Sequence, residues 1–317
     1  MNISIIIPNY NGEKLLKKNL PRVLFAVKGY KKGKIEIIIA DDLSTDDSPE
    51  IITNFIGEIK DTHITGKIIR NNNKTERGFS KNVNRAAGIA TGDILVLLNT
   101  DIYPRIGFLD PLLKHFNDES VFAVGCMDES IESGKTVMRG RGVGSWQRGF
   151  FVHNAGDTTK TSTLWVSGGS GAFRKSIWAK LNGLDILYNP FYWEDIDLSY
   201  RALKAGYKNI FEPKSIVVHE HEKGTIKTQY TKNQIKKIAY RNQFIFIWKN
   251  ITQIKLLFSH FVWLPYHFLK AFTSRDSAFF LGFLLALFKL SQISYARQLA
   301  RKNFVRTDAE ILKENFQ

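Results

Sequence analysis

A single cysteine, Cys126, occurs in 317 residues. This excludes an intramolecular disulfide and a cysteine-based zinc site, and it suits a reducing compartment. Long apolar runs are also missing. The most extended one, Ala278–Phe288, ends at Lys289 and falls well short of the ~20 residues a membrane span takes. The opening MNISIIIPNYNG has no basic n-region and passes straight into a β-branched run, so no signal peptide is expected and the cytoplasm is the expected location. Repeats and low-complexity tracts are absent. Acids are scarce in one part of the chain only. From Lys223 to Gln317 there are 16 Lys/Arg against 4 Asp/Glu, which supplies +12 of the net +15.

What is present is an ordinary apolar content, 44 %, enough for one large core or a core with an appendage. Apolar runs at Ile3–Ile7, Ile35–Ala40, Ile64–Arg70 and Ile94–Leu98 alternate with helical patterns near Glu13–Val27, Ser48–Ile59 and Ser80–Ala90. Continuous apolar strands between helices predict an α/β fold, a mostly parallel sheet covered on both faces. Ligands of such sheets sit at the carboxyl ends of the strands. Pro8–Gly12, Asp41–Asp47 and Asn99–Asp101 fall there. From about 120 to 175 the chain is rich in Gly, Ser, Thr and Arg, with RGRGVGSWQRGFF (139–151) at its centre, and reads as strands and mobile loops over the site.

Each motif has an ordinary structural explanation beside a chemical one. Asp41 and Asp42 in ADDLSTDD suit an Asx turn or helix cap, yet two adjacent acids at a strand end exceed what a cap needs. Asn99-Thr100-Asp101 could be a polar turn, or half of an oxygen-rich site for a hard cation. In FYWEDIDLSYRALKAGYK (191–208), Glu194, Asp195 and Asp197 fall in a first helical turn, where the helix dipole favours acids. Asp197 and Arg201 are spaced as an i,i+4 pair.

The order of SIIIPNYNG (4–12), IIIADDLSTDD (37–47), GFSKNVNRAAG (78–88), GDILVLLNTD (92–101) and the acidic 191–208 segment resembles family 2 glycosyltransferases of the GT-A, Rossmann-like fold. The likeness is to a bacterial and archaeal rhamnosyltransferase-like branch and runs to about residue 225. It implies an enzyme moving a sugar from a nucleoside diphosphate sugar, UDP- or dTDP-linked, to a hydroxyl of a glycan acceptor, with inversion. Asp195 would be the general base and Glu194 would orient the acceptor. Asp41, and less so Asp42, would contact the base of the nucleotide. Pro8, Tyr10, Asn11, Gly78, Lys81, Asn84, Asn99 and Thr100 match segments that flank the nucleotide. Asp101 and His219, the latter favoured over His221, would meet Mn²⁺ or Mg²⁺. Gly168, Gly169 and Ser170 of VSGGSGAFRKSIW (166–178), with Trp193, would lie against sugar and acceptor.

The boundary of the catalytic domain is expected at residue 225, followed by a basic, aromatic-rich helical region over 226–317. YRNQFIFIWKN (240–250) resembles a segment that follows the catalytic domain in many bacterial relatives. Aromatic residues mixed with cations suit a lipid headgroup zone, so this region is expected to lie on an anionic membrane. That would make the protein peripheral on the inner face of the cell membrane, with a lipid-linked acceptor and no nucleic-acid partner. Phe279, Phe280, Phe283, Leu284 and Leu287 are the expected inserting residues, and removal of the region should free a soluble domain. The alternative is packing against the catalytic domain or a second copy in a homodimer. Two other functions compete: a nucleotidyltransferase, which would need a basic, Gly-rich loop after the first strand, and a non-catalytic basic binder, which leaves the acids unused.

Overall fold

The computed structural model describes residues 1–132, 134–220 and 229–314. The expected boundary at 225, and His221, lie outside the described residues. Strands β1 (Ile3–Asn9), β2 (Ile35–Asp41), β3 (Ile64–Arg70) and β4 (Ile94–Leu98) alternate with helices α1 (Glu13–Val27), α2 (Ser48–Glu58) and α3 (Phe79–Ile89). The sequence pattern placed these elements to within one residue at their ends. β1 is the exception, since it runs on through Pro8 to Asn9. β4 pairs with Ile3–Ile6 of β1, so Pro8 lies past the end of that ladder and its missing N–H leaves no gap there.

Next come β5 (Ile102–Pro104), α4 (Leu109–Leu113), β6 (Val121–Glu132), β7 (Lys135–Arg139), β8 (Gly142–Gln147), β9 (Phe150–Ala155), β10 (Ser170–Arg174), α5 (Lys175–Lys180), α6 (Glu194–Lys204) and β11 (Lys208–His219). The main sheet has the order β3-β2-β1-β4-β10-β6-β11-β5, with β7 added to β6. The β3-β2-β1-β4 ladders are parallel, as is β6–β11, while β10 and β5 run antiparallel to their neighbours. The sheet is thus mostly parallel, and both faces are buried: Ile5, Ile37 and Val96 pack on one side, Ile6, Ile38 and Leu97 on the other.

The strands expected between 120 and 175 are present: β8 and β9 form a two-stranded hairpin, whose Phe150 and Phe151 bury themselves against the helices that follow instead of covering the cleft. Gly149, at φ +77°, lies so close to Ser259 and His260 that a Cβ would collide with their backbone, so glycine is required at this contact.

Helices α7 (Lys232–Asn250), α8 (Ile254–Thr273), α9 (Ser277–Leu287), α10 (Leu290–Arg301) and α11 (Asp308–Glu314) complete the molecule. α7 starts at a capping box between Thr231 and Gln234, which satisfies free N–H groups of the first turn. Phe244, Ile245, Phe246 and Ile247 of α7 are fully buried. Helix α7 is therefore part of the core. Two buried carboxylates lock α7 and α11 in place. Asp197 of α6 accepts from Arg201 Nε (2.7 Å), Tyr188 Oη (2.8 Å), Lys249 Nζ (2.8 Å) and Asn250 Nδ2 (2.7 Å). Its cation partners hold this carboxyl far below the usual range despite burial. Asp308 of α11 pairs with Lys204 of α6 at 2.7 Å.

The expected lipid-inserting set also changes. Phe279 is buried, and Phe280 and Phe283 pack against the same cluster. Edge-on contacts of Phe279 and Phe283 with Tyr240, Phe244 and Trp248 hold these rings inward. Of the five, Leu284 is the one left largely exposed. Among the described residues no single helix is long and apolar enough to cross a membrane. α9 with α10 would pass jointly by length and composition, but the two are bent by 67°.

Candidate active site

The carboxyl ends of β1, β2 and β4 open into a cleft of about 750 Å³. Pro8, Tyr10, Asp42, Asn99, Thr100 and Asp101 line it from these strand ends, and His219 enters from the end of β11. Gly78 lies at the far side, at the start of α3. Its N–H donates to Asp42 Oδ2 at 2.9 Å. Its φ of +129° and its contact with Asn189 leave no room for a side chain.

Asp41 and Asp42 part company here. Asp41 is fully buried and accepts from Asn9 Nδ2 at 2.9 Å and the Ser44 N–H at 3.3 Å. Asp42, fixed by Asn71 Nδ2 (2.8 Å) and Gly78, is the acid on the cleft wall. Asn11 turns away to hold the β2–α2 loop, accepting the Thr45 N–H at 2.8 Å. Asn84 bonds both backbone groups of Leu184, and Lys81 pairs with Glu76, so neither lines the cleft. Lys74, Arg77, Phe79, Asn82 and Tyr192 do. Arg77 lies 4.0 Å over the Tyr10 ring, a cation–π contact that brings a guanidinium to the cleft wall. None of these five positions was singled out from sequence.

Asp101 Oδ2 lies 3.4 Å from His219 Nε2, and His219 Nδ1 lies 2.9 Å from Asp128 Oδ2. Burial works against the charged imidazole, but the two carboxylates outweigh it and raise its pKa to about 9. Asp128, from the middle of β6, was not anticipated. Such an acid behind a ring nitrogen fixes which nitrogen faces forward. No group of three or more His, Cys, Asp or Glu side chains forms a closed cation cage among the described residues. One carboxylate and one imidazole nevertheless suit a cation that takes its remaining ligands from diphosphate oxygens.

Asn99 and the acidic pair are joined through Gly168-Gly169. The Asn99 N–H donates to Gly169 O at 2.9 Å. A Cβ on Gly169 would strike the Asn99 amide, and one on Gly168 would meet Asp195 Cβ and Phe79. Ser170 is buried and starts β10, paired with Leu98. Asp195 accepts the N–H of Gly168 at 3.2 Å and of Ile196 at 2.8 Å. Burial raises the Asp195 pKa, and those two N–H groups hold it back. Glu194 is raised further, first by burial and then by the charge of Asp195. Its Oε2 is buried with no hydrogen-bond partner among the described residues. Burial thus pushes both carboxyls of the pair upward, and Asp195 is the one that backbone N–H groups hold back. Trp193 takes no part in the cleft. It is buried, with its ring 5.0 Å from His153 and 5.3 Å from Phe246. Left-handed φ values at Tyr192 (72°) and Trp193 (76°) turn the chain so that Tyr192 faces the cleft instead.

The glycosyl transferase family 2 model matches residues 4–181. The chain belongs to this family. Among curated relatives, the pre-mycofactocin glycosyltransferase of Mycobacterium tuberculosis is 25 % identical over 69 % of this chain and 43 % of its own length. The O-antigen chain rhamnosyltransferase RfbN of Salmonella typhimurium is 23 % identical over 70 % and 67 %. The chain thus spans less than half of the first of these. Among solved structures, Staphylococcus aureus TarS 1–349 with UDP-GlcNAc superposes at a TM-score of 0.59, 16 % identity, over 99 % of this chain and 91 % of its own. The mannosyltransferase PcManGT of Pyrobaculum calidifontis, with GDP-Man and Mn²⁺, gives 0.57 and 18 % over 95 % and 85 %. At these identities the structures establish the GT-A-like fold, and this family 2 chain carries it with its helical C-terminal region included.

Proposed function

We propose that the protein is an inverting transferase that moves a sugar from a UDP- or dTDP-linked donor to a hydroxyl of a lipid-linked glycan. The observation that carries this reading is the acidic pair at the start of α6, set across Gly168-Gly169 from the Asn99–Asp101 strand end. Asp195, the member of the pair that accepts two backbone N–H groups, would take the proton of the attacking hydroxyl. Glu194 would hold that hydroxyl through its Oε2, which has no hydrogen-bond partner among the described residues. A single base and a single displacement imply inversion. Asp42, Tyr10 and Arg77 would hold the nucleotide. Asp101 and His219 would hold Mn²⁺ or Mg²⁺, which when bound offsets negative charge on the departing diphosphate. The Mn²⁺ in the PcManGT complex supports a divalent metal here.

Placement at the cytoplasmic face of a membrane rests on α8. Ile254, Phe258, Phe261, Val262, Leu269 and Phe272 are 57–76 % exposed and repeat at helical spacing, flanked by Lys255, Lys270 and Arg275. Such a face suits the headgroup boundary of an anionic bilayer. The deciding experiment is a screen of nucleoside diphosphate sugars for slow donor hydrolysis and thermal stabilisation, with Mn²⁺ present. One UDP- or dTDP-sugar should stand out. A response to nucleoside triphosphates alone, with pyrophosphate released, would establish a nucleotidyltransferase instead.

A further inference from the structure

A second pocket, of about 420 Å³, lies between the β8–β9 turn and helices α7, α8 and α9. Its charge is not compensated. Arg148 occupies the turn at φ 46°, a conformation that side-chain-bearing residues rarely adopt, and its carbonyl accepts from His267 Nε2 at 2.8 Å. The guanidinium donates to Tyr266 Oη at 2.8 Å. Lys270 follows on α8. The acid in the pocket, Asp276, is already occupied by Lys236 at 2.6 Å and the Tyr240 hydroxyl at 2.9 Å. Neither Arg148 nor Lys270 has a carboxylate partner among the described residues.

One rim of the pocket is apolar. The Trp263 ring lies 6.0 Å from the Arg148 guanidinium and 5.5 Å from the Tyr266 ring, and the exposed face of α8 continues beyond it. The opposite wall is α7, which also holds the 189–192 loop that lines the cleft. Tyr240 and Gln243 face the pocket. Between them, Arg241 donates to Asn189 O at 2.6 Å and Asn242 to Tyr192 O at 2.8 Å, holding the loop that leads to Glu194. A cationic pocket with one apolar rim fits an amphiphile with an anionic head.

We propose that this pocket binds the phosphate group of a lipid phosphate whose hydrocarbon lies along the exposed face of α8. Resting on the transfer reading above, this lipid phosphate belongs to the acceptor, seated against α7, the helix that holds the 189–192 loop of the cleft.

The test is flotation of the full chain with phosphatidylcholine vesicles carrying either a long-chain polyprenyl monophosphate or phosphatidylglycerol at matched surface charge. Wild type should favour the monophosphate vesicles. Arg148→Gln/Lys270→Gln should bind them about thirtyfold more weakly, from two cations at ~1 kcal/mol each. Lys28→Gln/Lys302→Gln, which removes two exposed cations away from α8, should retain the preference. Equal binding of both vesicle types by wild type would overturn the proposal. So would equal losses in the two double variants, or complete displacement by inorganic phosphate. Donor hydrolysis without lipid should be unchanged in Arg148→Gln/Lys270→Gln, because these side chains lie outside the cleft. A monophosphate preference in a wild-type chain that hydrolyses no donor would sustain the pocket while refuting the transfer reading.

Discussion

Replacing Asp308 with alanine should destabilise the whole molecule, although Asp308 lies far along the chain from the strands that build the cleft. Its carboxylate is fully buried and accepts from Lys204 Nζ (2.7 Å), Tyr200 Oη (2.8 Å) and the N–H groups of Thr252 and Gln253 (2.8 Å each). Lys204 is itself only 1 % exposed. Alanine would strand that ammonium in a site with no other carboxylate partner among the described residues. Breaking such a pair from one side costs about 3–5 kcal/mol, because the remaining charge is left desolvated. Against a typical total of about 5–15 kcal/mol, that is a fifth or more of the stability. Urea denaturation followed by tryptophan fluorescence would read it. Lys204→Met in the same chain removes the stranded charge, so the double variant should be more stable than Asp308→Ala alone by about 2 kcal/mol. A loss under ~1 kcal/mol for Asp308→Ala, or additive losses in the double variant, would refute the view that α11 is locked into the core.

By the same reasoning, a chain cut near residue 225 should fail to fold, because Asp197 loses Lys249 and Asn250; a soluble, monodisperse fragment in gel filtration would contradict this. Asp195→Asn should lower transfer by about 10²–10⁴-fold with donor binding unchanged, whereas Glu194→Gln, which keeps the side-chain shape and its hydrogen-bonding capacity, should stay within roughly tenfold of wild type; equal losses would reverse the assignment. Because burial raises the Asp195 pKa and the base acts only when ionised, the transfer rate should rise with pH along a limb above the ordinary carboxylate range. A rate independent of pH from acid to neutral would count against Asp195 as base. Asp101→Ala should abolish any Mn²⁺ dependence of donor binding in calorimetric titration, and identical wild-type affinities with and without Mn²⁺ would remove the metal from the mechanism.

The strands were legible in the sequence because a parallel strand buried on both faces leaves an unbroken apolar run, as Ile35–Ala40 and Ile94–Leu98 do. Strand-end chemistry was legible for a related reason: polar residues at the close of such a run have nowhere to go but the open edge of the sheet. Which acid faces outward was not legible. Asp41 and Asp42 are adjacent and identical, and only the alternation of β2 together with Gly78 and Asn71 turns Asp42 to the cleft. Trp193 and Tyr192 were exchanged likewise, by left-handed backbone at two successive residues. Asp128 stayed hidden because its partner His219 is 91 residues away. The composition of the region after 225 established that it is helical, basic and aromatic. Whether its rings meet lipid or the core was decided by tertiary contacts alone, since Phe279 and Phe258 have the same chemistry and only the packing of α9 on α7 buries the first and leaves the second in solvent.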